Sequence, residues 1–245
     1  MPPTVSPPDP RRWWVLAALC VALLTLSVDN TILNVALPTI ERDLGASSGE
    51  LQWIVDSYLL VFAGLLLTMG AVGDRFGRRR ALLAGLVVFA AASAASAAMT
   101  TAEGLIVTRG LMGVGAALIM PATLSILTHV FPPAERPKAI GAWAAVFGLG
   151  IALGPTGGGL LLEHLAWSSV FLVNLPVVAV ALTAAVRLVP ESRDPATPPL
   201  DVPGAVLSVL GLGALVFGLI GAPEHGWGAG RTLAAFAAAV AALAA

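Results

Sequence analysis

Seven stretches of this 245-residue chain run for roughly the length of a membrane crossing with almost no charge: 13–36, 51–71, 81–99, 104–128, 139–162, 167–187 and 203–222. A helix needs about 20 mostly apolar residues to cross the hydrocarbon core. The stretches are apolar all round, without the alternation of a β-barrel strand, so they read as helices. Composition closes the other routes. With 58% hydrophobic and 11% charged residues, the chain cannot cover a soluble globule without large exposed apolar patches. Disordered chains are charge-rich and apolar-poor, the reverse of this one. The expected fold class is all-α, a polytopic membrane protein.

An eighth apolar stretch begins near Thr232 and reaches Ala245. It would rise only about 21 Å, short of a core about 30 Å thick. The chain is therefore expected to end inside its eighth span and to be the N-terminal portion of something longer. Arg11 and Arg12 before the first stretch imitate a secretory leader. That stretch, however, reaches Leu37 with Asp29 and Asn34 inside it and Pro38 at its end. It is too long for a leader and lacks a cleavage site, so a retained first span is expected.

Arg11, Arg12, Arg75, Arg78, Arg79, Arg80, Arg136, Lys138, Arg187 and Arg193 all fall at the N-terminus or in even-numbered connections. Arg42 and Arg231 fall on the other side, and Arg109 lies within a span. The positive-inside rule places the N-terminus in the cytoplasm. The expected organisation is a cytoplasmic tail over 1–12, a six-helix bundle over 13–187, a cytoplasmic linker over 188–202 and a helix pair over 203–245, its second helix incomplete.

Asp29, Asp56 and Arg109 stand inside spans. Counting residues from the outer ends puts Asp29 about 12 Å deep and the other two somewhat shallower, all in the outer half of the bilayer. A charge there costs several kcal/mol unless paired or solvated. Two acids and one base at similar depth suggest one polar pocket, flanked by Asn30, Thr31 and Asn34. A static pair that holds helices together is the alternative, as is Asp56 or Arg109 reaching the interface. Asp29 is the candidate proton- or cation-responsive group.

In the fifth stretch Gly150, Gly154 and Gly158 recur every four residues, a face that lets a neighbouring helix approach closely. Pro155 removes a backbone hydrogen bond there, and Gly157, Gly158 and Gly159 are expected to loosen the next turn, which makes this span a candidate moving part. The second connection runs from Gly70 through Asp74, Arg75 and Gly77 to Arg78, Arg79 and Arg80. It reads as a positive-inside anchor, or as a charged latch onto acidic groups or helix carbonyl ends of a second bundle. No catalytic set, metal-ligand spacing or phosphate loop is present, so neither enzyme nor cofactor is expected. Cys20 and the histidines 129, 164 and 225 read as packing and interfacial residues.

These motifs together resemble the major facilitator superfamily, in its drug:proton antiporter branch with fourteen spans. Gly70–Arg80 is similar to the family's loop signature, and Asp29-Asn-Thr-Ile-Leu-Asn34-Val-Ala-Leu-Pro38 to the branch's first-span signature. Arg109–Gly113 resembles the fourth-span element, with Met112 where the family often has Gln. Gly150, Gly154, Pro155, Gly158 and Gly159 match the fifth-span antiporter signature. Trp167 to Pro176, with Phe171 and Asn174, resembles the sixth-span signature, with Ser168 in place of Arg. Asp201–Gly204 and Gly226-Trp227 resemble an inserted helix pair. The resemblance implies a multi-pass cell-membrane transporter that exports hydrophobic or cationic drug-like compounds against inward proton flow. It implies alternating access between two six-helix bundles, of which this chain holds the first. Asp29 would be the proton-responsive carboxylate and Arg109 its tuning partner. Rival readings are a nutrient importer of the same family and a non-transporting membrane fragment.

Overall fold

The computed structural model describes residues 10–194 and 201–244. Its helix ends follow from local chemistry. Helix α1 (Arg12–Leu44) stops at Gly45, whose φ of +64° is left-handed and suits glycine. Helix α2 (Ser48–Phe76) opens on a capping box. Ser47 Oγ accepts from the Glu50 backbone N–H, and the Glu50 carboxylate accepts from the Ser47 N–H at 2.8 Å. Helix α3 spans Arg78–Ala97, and α4 (Ala102–Val130) is capped by Thr101. Helix α5 (Arg136–His164) carries a proline in its first turn, where no N–H is needed. The sixth span consists of α6 (Ser169–Leu172) and α7 (Asn174–Leu188). Helix α8 (Val202–His225) is capped by Asp201, and α9 spans Gly230–Ala244.

Seven spans are long and apolar enough to cross a membrane, while α9 is shorter. The chain is a multi-pass, membrane-embedded, all-helical protein, and among the described residues no strand forms. Residues 1–9 of the expected tail, 195–200 of the expected linker and Ala245 lie outside the described residues.

Three prolines bear on how the helices run. Helix α1 passes through Pro38 to Leu44. That proline forfeits only the bond to the Asn34 carbonyl, and the fully buried Ile40 anchors the turns beyond it. Helix α5 continues unbroken through Pro155 and the glycines after it. The sixth span carries a one-residue irregularity at Val173, whose φ of −61° and ψ of −24° stay helical and whose N–H still reaches the Ser169 carbonyl at 3.0 Å. Pro176 offers no N–H to the Leu172 carbonyl and its ring crowds that group.

Helix α4 packs chiefly on α2 and α3, and α1 packs on α5 and α7; contacts of α3 with α7 and of α1 with α4 join the two groups. Helix α8 lies on α2, and α9 on α8. Small residues set the closest approaches. A methyl group at Gly113 would lie 2.6 Å from the Tyr58 carbonyl oxygen, and one at Gly115 2.8 Å from the Phe89 nitrogen. Helices α1 and α4 are therefore the inner pair, and the buried site lies between them.

Candidate functional site

Arg109 of α4 has no solvent exposure, and Asp29 of α1 is 1% exposed. Arg109 Nη1 donates to Asp29 Oδ2 at 2.6 Å. Arg109 Nε donates to the Ile54 carbonyl of α2 at 3.3 Å, and the guanidinium carbon stands 4.4 Å from the centre of the Tyr58 ring. The other carboxylate oxygen, Asp29 Oδ1, accepts from Asn174 Nδ2 of α7 at 2.8 Å. Asn174 Nδ2 also donates to Ser93 Oγ of α3 at 3.1 Å, and Ser93 donates to the Phe171 carbonyl of α6 at 2.8 Å. Ser96 and Thr108, bonded at 2.8 Å, border the cluster. Arg109 Nη2 has no hydrogen-bond partner among the described residues. One polar network thus joins six helices inside an otherwise apolar core. Its ion pair offsets two desolvation costs, and removing either partner strands a buried charge at a cost of about 3–5 kcal/mol.

The structure brings Asp29 and Arg109 together but leaves Asp56 and Asn34 outside this network. Ile54 and Tyr58, four residues apart, share the α2 face that meets Arg109. Asp56 is turned about 200° around the helix from Ile54. It is half-buried and hydrogen-bonded with Gln52. Asn34 is exposed and donates to the Asn30 carbonyl at 3.2 Å. Sequence reasoning missed Asn174, Ser93 and Tyr58 as partners. The available signal was Asn174, which stands in the sixth-span signature.

On its other side α1 meets α5. A Cβ at Gly150 would overlap Ser27 Oγ and lie 2.8 Å from Ser27 Cβ. At Gly154 it would overlap Thr31 Oγ1 and lie 3.0 Å from the Ile32 nitrogen. At Gly158 it would lie 2.8 Å from Ile32 Cγ1. Thr31 Oγ1 uses the closeness to reach the Gly150 carbonyl at 3.4 Å. Gly157 and Gly159 meet nothing within 4 Å. The stripe is therefore a seat for the helix that carries Asp29.

The loop between α2 and α3 folds under the chain that follows α7. Gly77 takes φ +124°, and a Cβ there would meet the Glu191 carboxylate at 2.7 Å. Glu191 Oε1 accepts from the Arg79 N–H at 3.2 Å, where an anion suits the start of α3. Asp74 pairs with Arg78 at 2.6 Å, and its carbonyl accepts from the Asp194 N–H at 2.8 Å. Arg79 Nη2 donates to the Val186 carbonyl near the end of α7, and Arg80 pairs with Glu191 at 3.7 Å. Gly70 packs toward Pro121, while Arg75 is exposed. The arginines thus engage an acid and a helix carbonyl of this same chain.

A second tie joins the start of α1 to the connection before α5. Arg12 Nε and Nη2 donate to the two Glu135 oxygens at 2.8 and 3.1 Å. Those hydrogen bonds, then the charges of Arg12 and Lys138, hold the Glu135 carboxyl below its ordinary 4.5. A depressed carboxyl contributes stability that is present above its ordinary value and lost as pH falls through its folded value. Glu135→Gln should lower the melting temperature slightly at neutral pH. The deficit should vanish as wild type is acidified below about 4.5, which a pH series of melting curves would read.

Comparison with known proteins gives this architecture a family. The Major Facilitator Superfamily model matches residues 19–245. The chain is 42% identical over 235 residues to the "Tetracenomycin C resistance and export protein" of Streptomyces glaucescens, covering 96% of this chain and 44% of that protein. It is 44% identical over 236 residues to the "Multidrug efflux pump LfrA" of Mycolicibacterium smegmatis, covering 96% of this chain and 47% of that one. The chain thus spans under half the length of these relatives. The crystal structure of the POT family transporter PepTSo superposes with a TM-score of 0.65 at 16% identity, over 98% of this chain and 52% of that one, a likeness of fold. With its spans, its family model and its relatives in agreement, this chain belongs to the Major Facilitator Superfamily.

Proposed function

We propose that this chain is the first bundle of a proton-coupled exporter of hydrophobic or cationic drug-like compounds, working by alternating access against a second bundle. The observation that carries the reading is the buried Asp29–Arg109 pair, capped by Asn174, at the centre of the helices. A carboxylate there can exchange its guanidinium partner for a proton or for a cationic substrate, so that the two flows compete for one group without covalent chemistry. Relatives named for export, efflux and resistance support export over nutrient import. In this reading Asp29 and Arg109 form the coupling site. Asn34 and Asp56 lie on other helix faces and serve at the cavity wall. The Gly150, Gly154, Pro155, Gly158 and Gly159 signature sets how α1 and α5 move together. The loop signature over Gly70, Asp74, Arg75, Gly77, Arg78 and Arg79 holds the cytoplasmic end, where it makes and breaks salt bridges. α8 and α9 are the inserted pair.

The test is substrate efflux from everted vesicles under an imposed pH gradient, with the second bundle supplied. Substrate should move against the proton flow. A nutrient importer would run in the opposite sense, and a non-transporting scaffold would show no substrate-linked proton movement.

In this reading the protein sits in the cell membrane, and the arginine distribution supports an N-terminus in the cytoplasm. Single cysteines in a Cys20-free background should label from outside intact cells at residues 38–50 and not at 73–80 or 188–202. External labelling of 73–80 would reverse the assignment.

A further inference from the structure

We infer that Asn174 and Ser93 form a proton-linked relay: protonation of Asp29 turns the Asn174 amide over, Ser93 follows it, and the hydrogen bond that ties α3 to the Phe171 carbonyl of the sixth span is released. The inference rests on Asp29 being the group that takes the coupled proton.

With Asp29 charged, only one amide orientation fits. Asp29 Oδ2 is occupied by Arg109 at 2.6 Å and Oδ1 by Asn174 Nδ2 at 2.8 Å. Reversed, the amide would set its carbonyl oxygen against a carboxylate oxygen, acceptor against acceptor. Nδ2 has two hydrogens, and the second goes to Ser93 Oγ at 3.1 Å. Ser93 therefore faces a donor and gives its own hydrogen to the Phe171 carbonyl at 2.8 Å. The polarity of the chain from Asn174 through Ser93 to Phe171 is fixed by the charge on Asp29.

A proton reverses that polarity. Oδ2 faces a guanidinium that can only donate, so the proton belongs on Oδ1. The new O–H then points at an N–H, donor against donor. A half-turn of the amide brings its carbonyl oxygen into place to accept from the acid. The only covalent change is the O–H bond formed on Asp29. That same oxygen now faces Ser93, whose hydroxyl turns from Phe171 to donate to it. Phe171 lies one residue before the end of α6, where Pro176 has already removed a backbone donor. The Phe171 carbonyl thereby loses its tie to α3, beside the irregularity at Val173.

The charged and titratable groups facing Asp29 are Arg109 from α4 and Tyr58 from α2. From α3 it meets Ser93 through Asn174. Helices α5, α6 and α7 carry ionisable residues only near their ends, at Arg136, Lys138, Glu163, His164 and Arg187. Among the described residues no competing acid or base intervenes between Asp29 and the relay.

Infrared difference spectra between acid and alkaline pH test this on the full chain in lipid, with the asparagine side-chain carbonyl labelled with carbon-13. A protonated-carboxyl band removed by Asp29→Asn is expected. A labelled amide band removed by Asn174→Leu should titrate with the same midpoint. Ser93→Ala, which deletes one hydroxyl, should shift the amide band at acid pH, and Asn174→Leu should shift the carboxyl band. The labelled wild type needs no substitution, so its result stands whether or not the Asn174 variant folds. A carboxyl band that titrates with no labelled amide band overturns the relay. The absence of any carboxyl band assignable to Asp29 overturns the proton reading on which it rests.

Discussion

Gly154→Leu should abolish export. A side chain at this position meets Thr31 Oγ1 and, behind it, the Ile32 backbone nitrogen at 3.0 Å. The hydroxyl can rotate away, but the backbone cannot, so α1 and α5 must separate. Overpacking of this kind costs about 1–3 kcal/mol, spread over the whole seat from Ser27 to Val35. Separation also moves the helix that carries Asp29, so the effect reaches the buried pair without touching it. Gly154→Ala should give a partial loss, since its Cβ alone meets the same atoms. Gly148→Ala meets open space and should export normally. Full export by Gly154→Leu, at wild-type membrane level, would show that the close approach is incidental.

The fold was legible because the constraint is so coarse. A run of apolar residues long enough to cross a bilayer has few alternatives, and all seven runs form helices of that length. Prolines were harder to place. Pro38, Pro155 and Pro176 look alike in the sequence, yet the helix runs evenly through the first two and carries a one-residue irregularity at Val173, three residues before the third. Buried neighbours hold the first helix together and the glycine seat against α1 holds the fifth, neither of which the sequence displays.

The site divides along the same line. A charge within an apolar run marks itself, and Asp29 and Arg109 do lie together. Depth, however, is one coordinate of two. Asp56 has a similar depth and the wrong azimuth, because Ile54 and Tyr58 hold the inward face of α2. A check of the i, i+4 neighbours would have separated the two acids. Asn174 and Ser93 carry no charge and stand 81 residues apart. Nothing local marks a neutral amide or hydroxyl as the partner of a distant carboxylate. The loop arginines posed the reverse difficulty: their charge was plain, but their partner Glu191 lies across the bundle end, in a segment that reads as linker.

Asp29→Asn should leave a chain that inserts in the membrane but no longer exports cations under a pH gradient. The substitution keeps the size and an acceptor oxygen for Arg109 at its 2.6 Å position, and it removes the one group that can alternate between guanidinium, proton and cationic substrate. It also strands the Arg109 charge in a fully buried site, where a lost partner costs about 3–5 kcal/mol, so reduced heat stability should accompany the loss of transport. Asp29→Glu separates the two effects. It restores a titratable carboxyl and a partner for Arg109 on a longer stem, and should recover heat stability and a part of the export. Efflux from everted vesicles with membrane level measured alongside gives the first readout, and melting curves the second. If Asp29→Asn retains wild-type rates with wild-type pH dependence, the carboxylate is a structural partner of Arg109 and the coupling resides elsewhere. If Asp29→Glu regains stability but no export, the position of the carboxylate, fixed between Arg109 and Asn174, matters as much as its charge.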